Sequence, residues 1–368
     1  MILEGPINNL SLGNVTFNIA RELLKRNELS AMCLPPCVNN AQFNAFDKAS
    51  NEIKTEIVNK LLNFTKEFSS DDVGLKIWHI NGSERRVAKK QILFSFYEVD
   101  MPTETEINLV NQQDAVIFSS RESIDAFVNT GKVDKDKFFF VPLGFDEDFS
   151  IEPIRRPDVI HFGLCGKLEK RKNTQIIIKE WLKLYGNDTQ YQLTCLINNP
   201  FFPKETFDQI IASTLEGKHY NNVNFLPTLD LNSEVNQFLN AIDIDLSGCC
   251  GNEGWNLPSF NAACMDKVCV VGLGGAHLDW VDEFPNSNIV KISPDGIEEC
   301  YDGVFFHRGS PFNQGCFHFF KPENISASIK EAENVFMNNY QENSGKLLRE
   351  KFTYSKAVDE ILSIANKL

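Results

Sequence analysis

Short apolar runs alternate with amphipathic stretches along most of the chain, and this alternation restricts the fold more than any other feature. Residues 30–34, 75–80, 91–97, 115–119 and 138–141 are short and apolar or rich in β-formers. Helical spacing fills the intervals at 14–25, 51–68, 104–112 and 121–130. Strand, helix, strand in succession predicts a parallel sheet covered by helices on both faces, an α/β fold. Residues 142–158, PLGFDEDFSIEPIRRPD, carry three prolines and mixed charge, break the pattern and read as a linker. A second alternation follows. It runs through strand 159–165, loop 166–173, helix 174–185, strands 191–197 and 223–226, helix 233–241, and strands 242–246 and 268–271. Residues 294–322 are glycine- and aromatic-rich without a period, and 325–368 read as two helices.

A chain of 368 residues makes two domains of ordinary size. Its 42% hydrophobic and 23% charged content is that of a soluble globular protein. No apolar run reaches the roughly 18 residues of a membrane span, and MILEGPINNL lacks the basic and apolar regions of a secretory signal. A cytoplasmic location is expected. The ten cysteines are scattered and several, such as Cys165, Cys195 and Cys269, sit in apolar runs, as reduced buried thiols do. Cys33 and Cys37 are spaced too loosely for a redox pair and have no Cys/His cluster to complete a zinc site. The net charge of −14 disfavours a broad nucleic-acid face, which needs clustered Lys and Arg.

Two loops carry the chemistry. In 253–262, EGWNLPSFNA, Glu253 and Gly254 precede Trp255, and Leu257 and Pro258 enter a helix between two apolar strands. Such a loop lies at the carboxyl end of a parallel strand, where α/β sheets bind ligands. The helix start offers free N–H groups and a positive dipole end, which suits a phosphate, and Gly254 lets the backbone approach it. In 166–173, GKLEKRKN, the cations Lys167, Lys170, Arg171 and Lys172 follow a strand and open a helix. They make either an anion site or a solvated basic turn.

The segment EGWNLPSFNAACMDKVCVVGLGG resembles the donor-site segment of the group 1 (family 4) retaining glycosyltransferases. Their pattern is E-G-aromatic-G-L-P with a second Glu eight residues after the first; here that later position is Asn261. The basic loop resembles the family's G-R-x(4)-K-G or -K-N, with Lys167 at the Arg position and Lys172 at the Lys position. Lysine keeps the charge and loses the bidentate geometry. The resemblance covers most of the chain and is more specific in the second half.

It implies a GT-B fold: two Rossmann-like domains facing each other across a cleft, with a C-terminal helix crossing back to the N-terminal domain. Residues 1–150 would be the acceptor domain, joined by helix 351–368, and 158–350 the nucleotide-sugar donor domain. The implied activity is a glycosyltransferase, hexosyl- or pentosyltransferase, that retains configuration. Lys167 and Lys172 would grip the donor diphosphate and Glu253 the sugar hydroxyls. Backbone N–H groups of Trp255, Asn256 and Leu257, beside Gly254, would face the phosphates. Asn261 would bond the ribose through its amide, and Gly13 and Asn14 would close the cleft from the other domain. Residues 93–102, LFSFYEVDMP, resemble the family's YE-x-D-x-P variant and put Tyr97, Glu98 and Asp100 on the acceptor side, with Glu98 or Asp100 as base or hydrogen-bond partner. By themselves those residues read as a capped turn before a helix. His79, ending a strand, is a further candidate wall of the cleft. Residues 272–280, GLGGAHLDW, resemble the family's GG turn, and no GxGxxG fingerprint supports a nicotinamide enzyme.

No acidic pair of the DxD kind occupies an obvious loop, so neither a metal nor a cofactor is expected beside the nucleotide sugar. The acceptor would be a glycan, a lipid-linked or another molecule, a nucleic acid being disfavoured by the acidic balance. Two other readings stay open: a nucleotide-sugar epimerase of the same fold, and a non-catalytic nucleotide- or sugar-binding module, which Asn261 and Lys167 keep in play.

Overall fold

The computed structural model of the protein describes residues 1–69, 71–152, 158–281 and 288–368. Among them the alternation resolves into two six-stranded parallel sheets. The first holds β1 (Ile2–Glu4), β2 (Ala31–Cys33), β3 (Val73–Ile77), β4 (Lys90–Ser95), β5 (Ala115–Phe118) and β6 (Phe138–Phe140) in the order β2-β1-β3-β4-β5-β6. Its helices are α1 (Ser11–Lys25), α2 (Asn51–Leu62), α3 (Phe64–Glu67), α4 (Glu104–Asn111) and α5 (Arg121–Val128). The second holds β7 (Ile160–Cys165), β8 (Tyr191–Leu196), β9 (Val223–Phe225), β10 (Ile244–Gly248), β11 (Val268–Gly272) and β12 (Ile289–Ile292) in the order β12-β11-β10-β7-β8-β9. Its helices are α6 (Thr174–Tyr185), α7 (Lys204–Thr214), α8 (Asn232–Ala241), α9 (Leu257–Cys264), α10 (Leu278–Val281) and α11 (Pro322–Asn334). An antiparallel pair, β13 (Gly296–Glu299) and β14 (Cys316–Phe319), stands apart. The chain ends in α12 (Lys346–Lys351) and α13 (Tyr354–Ala365).

The central strands are apolar because helices cover both their faces: every residue of β10 and β11 is buried. Helix starts follow their caps. Thr103 and Glu106 form a reciprocal capping box on α4, and Ser120 accepts the Ser123 N–H on α5. The structure departs from the sequence reading where elements are short or barely buried. β1 has three residues and shows no period. α7 buries only Thr214, so its stripe is faint. The helix expected over 51–68 breaks at Asn63, where Phe64 packs toward Ile2 and Ala31. The aperiodic 294–322 contains the β13–β14 pair, and the tail forms α11, α12 and α13 where two helices were expected.

Of the expected linker 142–158, residues 153–157 lie outside the described residues. The described part is clamped. Arg21 of α1 pairs with Asp148 at 2.8 Å and Asp146 at 3.6 Å. The Ser150 and Glu152 N–H groups donate to Asn236 and Asn240 of α8 at 3.2 and 2.8 Å. Beyond it, α13 packs on α1, so the last helix returns to the first sheet. One apolar cluster runs from Leu3, Phe17 and Phe94 to Trp255, Phe260 and Phe352. Each large side chain so buried stabilises by about 1.5–3 kcal/mol. The carboxyl ends of the two sheets thereby face each other. No helix among the described residues is long and apolar enough to cross a membrane.

Candidate active site

The loop after β10 carries Glu253 into a buried ion cluster. Lys172 Nζ donates to Glu253 Oε1 at 2.5 Å, and Arg171 Nη1 lies 2.9 Å from the same oxygen. Arg171 Nη2 reaches Glu98, after β4 of the other sheet, at 3.1 Å and Glu169 at 3.3 Å, while Nη1 donates to the Asn252 carbonyl at 2.6 Å. Burial pushes the Glu253 carboxyl up, but Arg171 and Lys172 outweigh it and hold it well below the usual carboxylate range. Burial alone would lower Arg171 and Lys172; Glu253 reverses this and keeps both charged. Glu98 is the contrary case: burial raises it in spite of Arg171. Cys250, which the sequence leaves without a role, places its thiol 3.5 Å from Glu253 Oε1.

The 253–257 loop is held by its backbone geometry. Gly254 sits where any Cβ would come within 2.8 Å of Phe96, and its carbonyl accepts a hydrogen bond from Ser119 Oγ at 2.5 Å. Asn256, where the family pattern has glycine, has φ 64°, a left-handed conformation that asparagine tolerates. Its side chain caps α9 through the Ser259 N–H and donates to Ser247 O and to His277 Nε2, each at 3.0 Å. His277 Nδ1 lies 2.7 Å from the Gly272 carbonyl, which can only accept, so the proton is on Nδ1 and the ring is neutral. Burial pushes its pKa down to about 4. The N–H groups of Trp255, Asn256 and Leu257 make no hydrogen bond among the described residues.

A cavity of about 210 Å³ opens beside the cluster between the two sheets. Ser11 and Asn14 of α1 wall one side; Gly166, Lys167, Asn232, Leu257, Pro258 and Asn261 wall the other. Asn261 is buried, and its amide oxygen has no hydrogen-bond partner. Lys172 and Glu253 stand behind this wall: Lys172 Cδ is 3.1 Å from where a side chain on Gly166 would begin. A second cavity, about 180 Å³ between Thr174, Phe202 and Phe305, reaches Lys170 of the basic loop but none of the residues expected to bind the nucleotide sugar or the acceptor.

The candidate residues therefore separate. Glu253, Lys172, Gly254, Asn256, Leu257 and Asn261 converge at the cluster and the cavity, and Glu98 meets them from the other sheet. Lys167 lines the cavity, but its ammonium pairs with Glu169 at 2.8 Å and lies over the Phe305 ring at 4.9 Å. Asn14 Nδ2 donates across the cleft to Asn232 at 3.2 Å. Gly13 lies inside α1, which begins at Ser11, three residues before the expected start; a Cβ there would meet Asn8 at 2.3 Å. Tyr97, expected on the acceptor side, belongs to the core. Its hydroxyl donates to Glu106 at 3.2 Å and its ring lies on Phe127 at 4.9 Å. The Trp255 ring packs on Phe260 and Phe352, so only its backbone is placed toward α9's start. Asp100 is exposed and accepts from the Cys316 N–H of β14 at 2.7 Å. The His79 ring is open to solvent yet flanked by protein; this enclosure, then the Lys167 charge, lowers its pKa. Arg171 was legible only as one of four cations, and Glu122 and Asn252 gave no signal. No group of three or more His, Cys, Asp or Glu among the described residues is arranged to hold a metal ion.

The fold is GT-B. Over its whole length the chain matches the Anabaena protein Alr3699/HepE solved with UDP-glucose, with a TM-score of 0.65 at 14% identity and 99% of that chain covered. Sucrose-phosphate synthase from Thermosynechococcus elongatus matches with a TM-score of 0.68 at 10% identity, covering 100% of this chain and 98% of that one. The catalytic domain of starch synthase IV from Arabidopsis thaliana, bound to ADP and acarbose, matches with 0.63 at 10%, covering 100% and 98%. No protein-family model matches the sequence, and no curated protein sequence matches it.

Proposed function

We propose that the chain is a glycosyltransferase that moves a hexose or pentose from a nucleotide-activated donor to an acceptor hydroxyl, with retention of configuration. One observation carries the reading. A buried Arg171–Lys172–Glu253 cluster, the N–H groups at the start of α9 that have no partner among the described residues and a cavity of about 210 Å³ meet between the facing ends of two parallel sheets. Proteins of this fold have been solved with UDP-glucose and with ADP and acarbose, which supports a nucleoside diphosphate in the cavity.

In this reading residues 158–350 bind the donor, and 1–150 with the last helix receive the acceptor. The nucleoside fills the cavity against Leu257, with its ribose at the unpartnered Asn261 oxygen. The diphosphate meets the α9 N–H groups and Lys172, with Lys167 at the cavity edge. As the bond from the anomeric carbon to phosphate lengthens, the leaving oxygen gains negative charge. Fixed cations and N–H dipoles in a dry site stabilise that charge without reorganising. Arg171 stays behind Glu253, so the carboxylate remains ionised and can accept from the sugar hydroxyls when Lys172 turns to the phosphate. The acceptor attacks from the leaving-group face, and its proton passes to the departing phosphate oxygen; Glu98, raised by burial, faces that side. No step uses a metal or a cofactor. The acceptor is a glycan, a lipid-linked or another hydroxyl-bearing molecule, a nucleic acid being disfavoured by the acidic balance, and the enzyme works in the cytoplasm. The test is incubation with UDP- and ADP-hexoses, with and without glycan acceptors. Release of nucleoside diphosphate and an α-linked product from an α-linked donor are expected; tight binding without turnover would replace the enzyme by a binding module.

A further inference from the structure

The loop that bears Glu253 is held from the opposite half of the molecule by Ser119 on the Gly254 carbonyl and, on the other side of Glu253, by a carboxylate that the reaction itself does not use. Glu122 lies in the first turn of α5, where an acid ordinarily does no more than complement the helix dipole. Here both its oxygens are engaged across the cleft. Oε1 accepts from Asn252 Nδ2 at 2.6 Å, and Oε2 accepts from the Gly275 N–H at 2.8 Å. Each partner is a direct support of Glu253. Asn252 precedes it in the chain and gives its carbonyl to Arg171 at 2.6 Å. Gly275, at φ 60°, lies so close that a Cβ on it would fall 2.7 Å from Glu253 N, and the next residue, Ala276, donates its N–H to Glu253 O at 2.9 Å. Asn252 is fixed from a third direction, its Oδ1 accepting the His318 N–H of β14 at 3.0 Å. One carboxylate on the first half thus ties together the two loops of the second half between which Glu253 stands.

We propose that Glu122 is a cross-domain positioning residue: it sets the Glu253 loop in its working geometry only when the two halves are closed on each other. The inference rests on the proposed glycosyl transfer for its catalytic consequence, but not for the contact itself. Glu122 is not in the wall of the nucleotide cavity, and the start of α9 is held separately, Gly254 by Ser119 and Asn256 by Ser247 and His277, so its loss is expected to leave the nucleoside diphosphate site in place while loosening the carboxylate that orients the sugar. A misplacement of about 1 Å in such a site lowers turnover by about a hundredfold.

The experiment compares the wild-type chain with Glu122→Ala, Glu122→Gln, Asn252→Ala and the double variant Glu122→Ala/Asn252→Ala. The readouts are UDP-glucose turnover, UDP affinity by calorimetry and amide hydrogen exchange. Glu122→Ala is expected to lower kcat by about 30- to 100-fold with UDP affinity changed by less than about twofold, and to speed exchange at Gly275. Glu122→Gln, which keeps one acceptor oxygen, is expected to recover part of kcat. The double variant is expected to be no slower than the slower single one, because both act through one linkage. Unchanged kcat, or equal losses of kcat and UDP affinity, would overturn the proposal, the second outcome marking a general loosening of the fold. If the wild-type chain turns over no nucleotide sugar, the glycosyl-transfer reading fails on its own, and the exchange arm still decides the contact: unaltered protection of Gly275 in Glu122→Ala would overturn it.

Discussion

Replacing Lys172 by alanine separates what the lysine does for the fold from what it does for the reaction. In the resting protein its ammonium balances Glu253 at 2.5 Å inside a buried cluster. Removing one partner of a buried pair costs about 3–5 kcal/mol when the other charge is left uncompensated. Glu253 is not left so, because Arg171 remains 2.9 Å from the same oxygen. The expected loss of stability is therefore that of one charged hydrogen bond, about 1.5–3 kcal/mol. A domain with ordinary stability stays folded after such a loss. The loss in catalysis is set by a different interaction. If Lys172 meets charge that develops on the departing diphosphate, its removal costs about 2.7–4 kcal/mol of barrier, or about 10²–10³ in turnover. The assay measures initial rates of UDP-glucose turnover beside the urea midpoint of the same preparation. A rate that falls by two to three orders of magnitude in a protein still folded at the assay temperature is the expected result. A fall of less than about tenfold, or one that only tracks the folded fraction, would mean that Lys172 serves Glu253 alone and that the phosphates bind elsewhere.

Asn261→Glu is expected to keep or strengthen UDP affinity, since a carboxylate accepts a ribose hydroxyl more strongly than the amide oxygen now unpartnered there. Calorimetry showing a loss of about tenfold or more would remove Asn261 from the ribose site. Arg171→Met leaves Glu253 and Glu98 facing each other with one fewer cation, and is expected to lower stability by about 3–5 kcal/mol, read as a shift of the urea midpoint; a shift no larger than that of Lys172→Ala would deny Arg171 its central place. The pH dependence carries a fourth prediction. His277, depressed from 6.5 to about 4 by burial, stays neutral in the fold while the unfolded chain takes up a proton, so the stability present above pH 6.5 is lost as the pH falls toward 4, by about 1.4 kcal/mol per unit. Asp245, raised to about 6 by burial, acts in the opposite direction between pH 6 and 3.8 and masks the effect in the wild type. His277→Gln is therefore expected to gain stability relative to wild type as the pH is lowered from 7 to 4, and a pH-independent difference would contradict the assignment.

The two alternations, the glycine before the aromatic and the helix start after it were all visible in the residues, because each depends on local periodicity and backbone chemistry. So was the return of the last helix, through the family resemblance: the helix expected over 351–368 is α13, Tyr354–Ala365, with the short α12 just before it. What periodicity cannot show is a strand of three residues such as β1, or a helix such as α7 that buries almost nothing. Tyr97 marks another limit. Its motif is legible, but burial against Phe127 and the bond to Glu106 place its hydroxyl in the core.

In the basic loop 166–173, the sequence by itself determined that four cations stand at the end of a buried strand, and nothing in their order says which of them turns inward. The tertiary structure decided that. A tight turn over Lys170–Lys172 and a left-handed Asn173, φ 53°, bury Arg171 beneath Lys172, while Lys167 pairs with Glu169 at the rim. The partners that complete the cluster, Glu253 and Glu98, are remote in the chain, and Glu122 joins the same loops from the other half. Spacing along a chain records local backbone geometry; a buried charge is placed by whichever partners can neutralise it once the two sheets have closed.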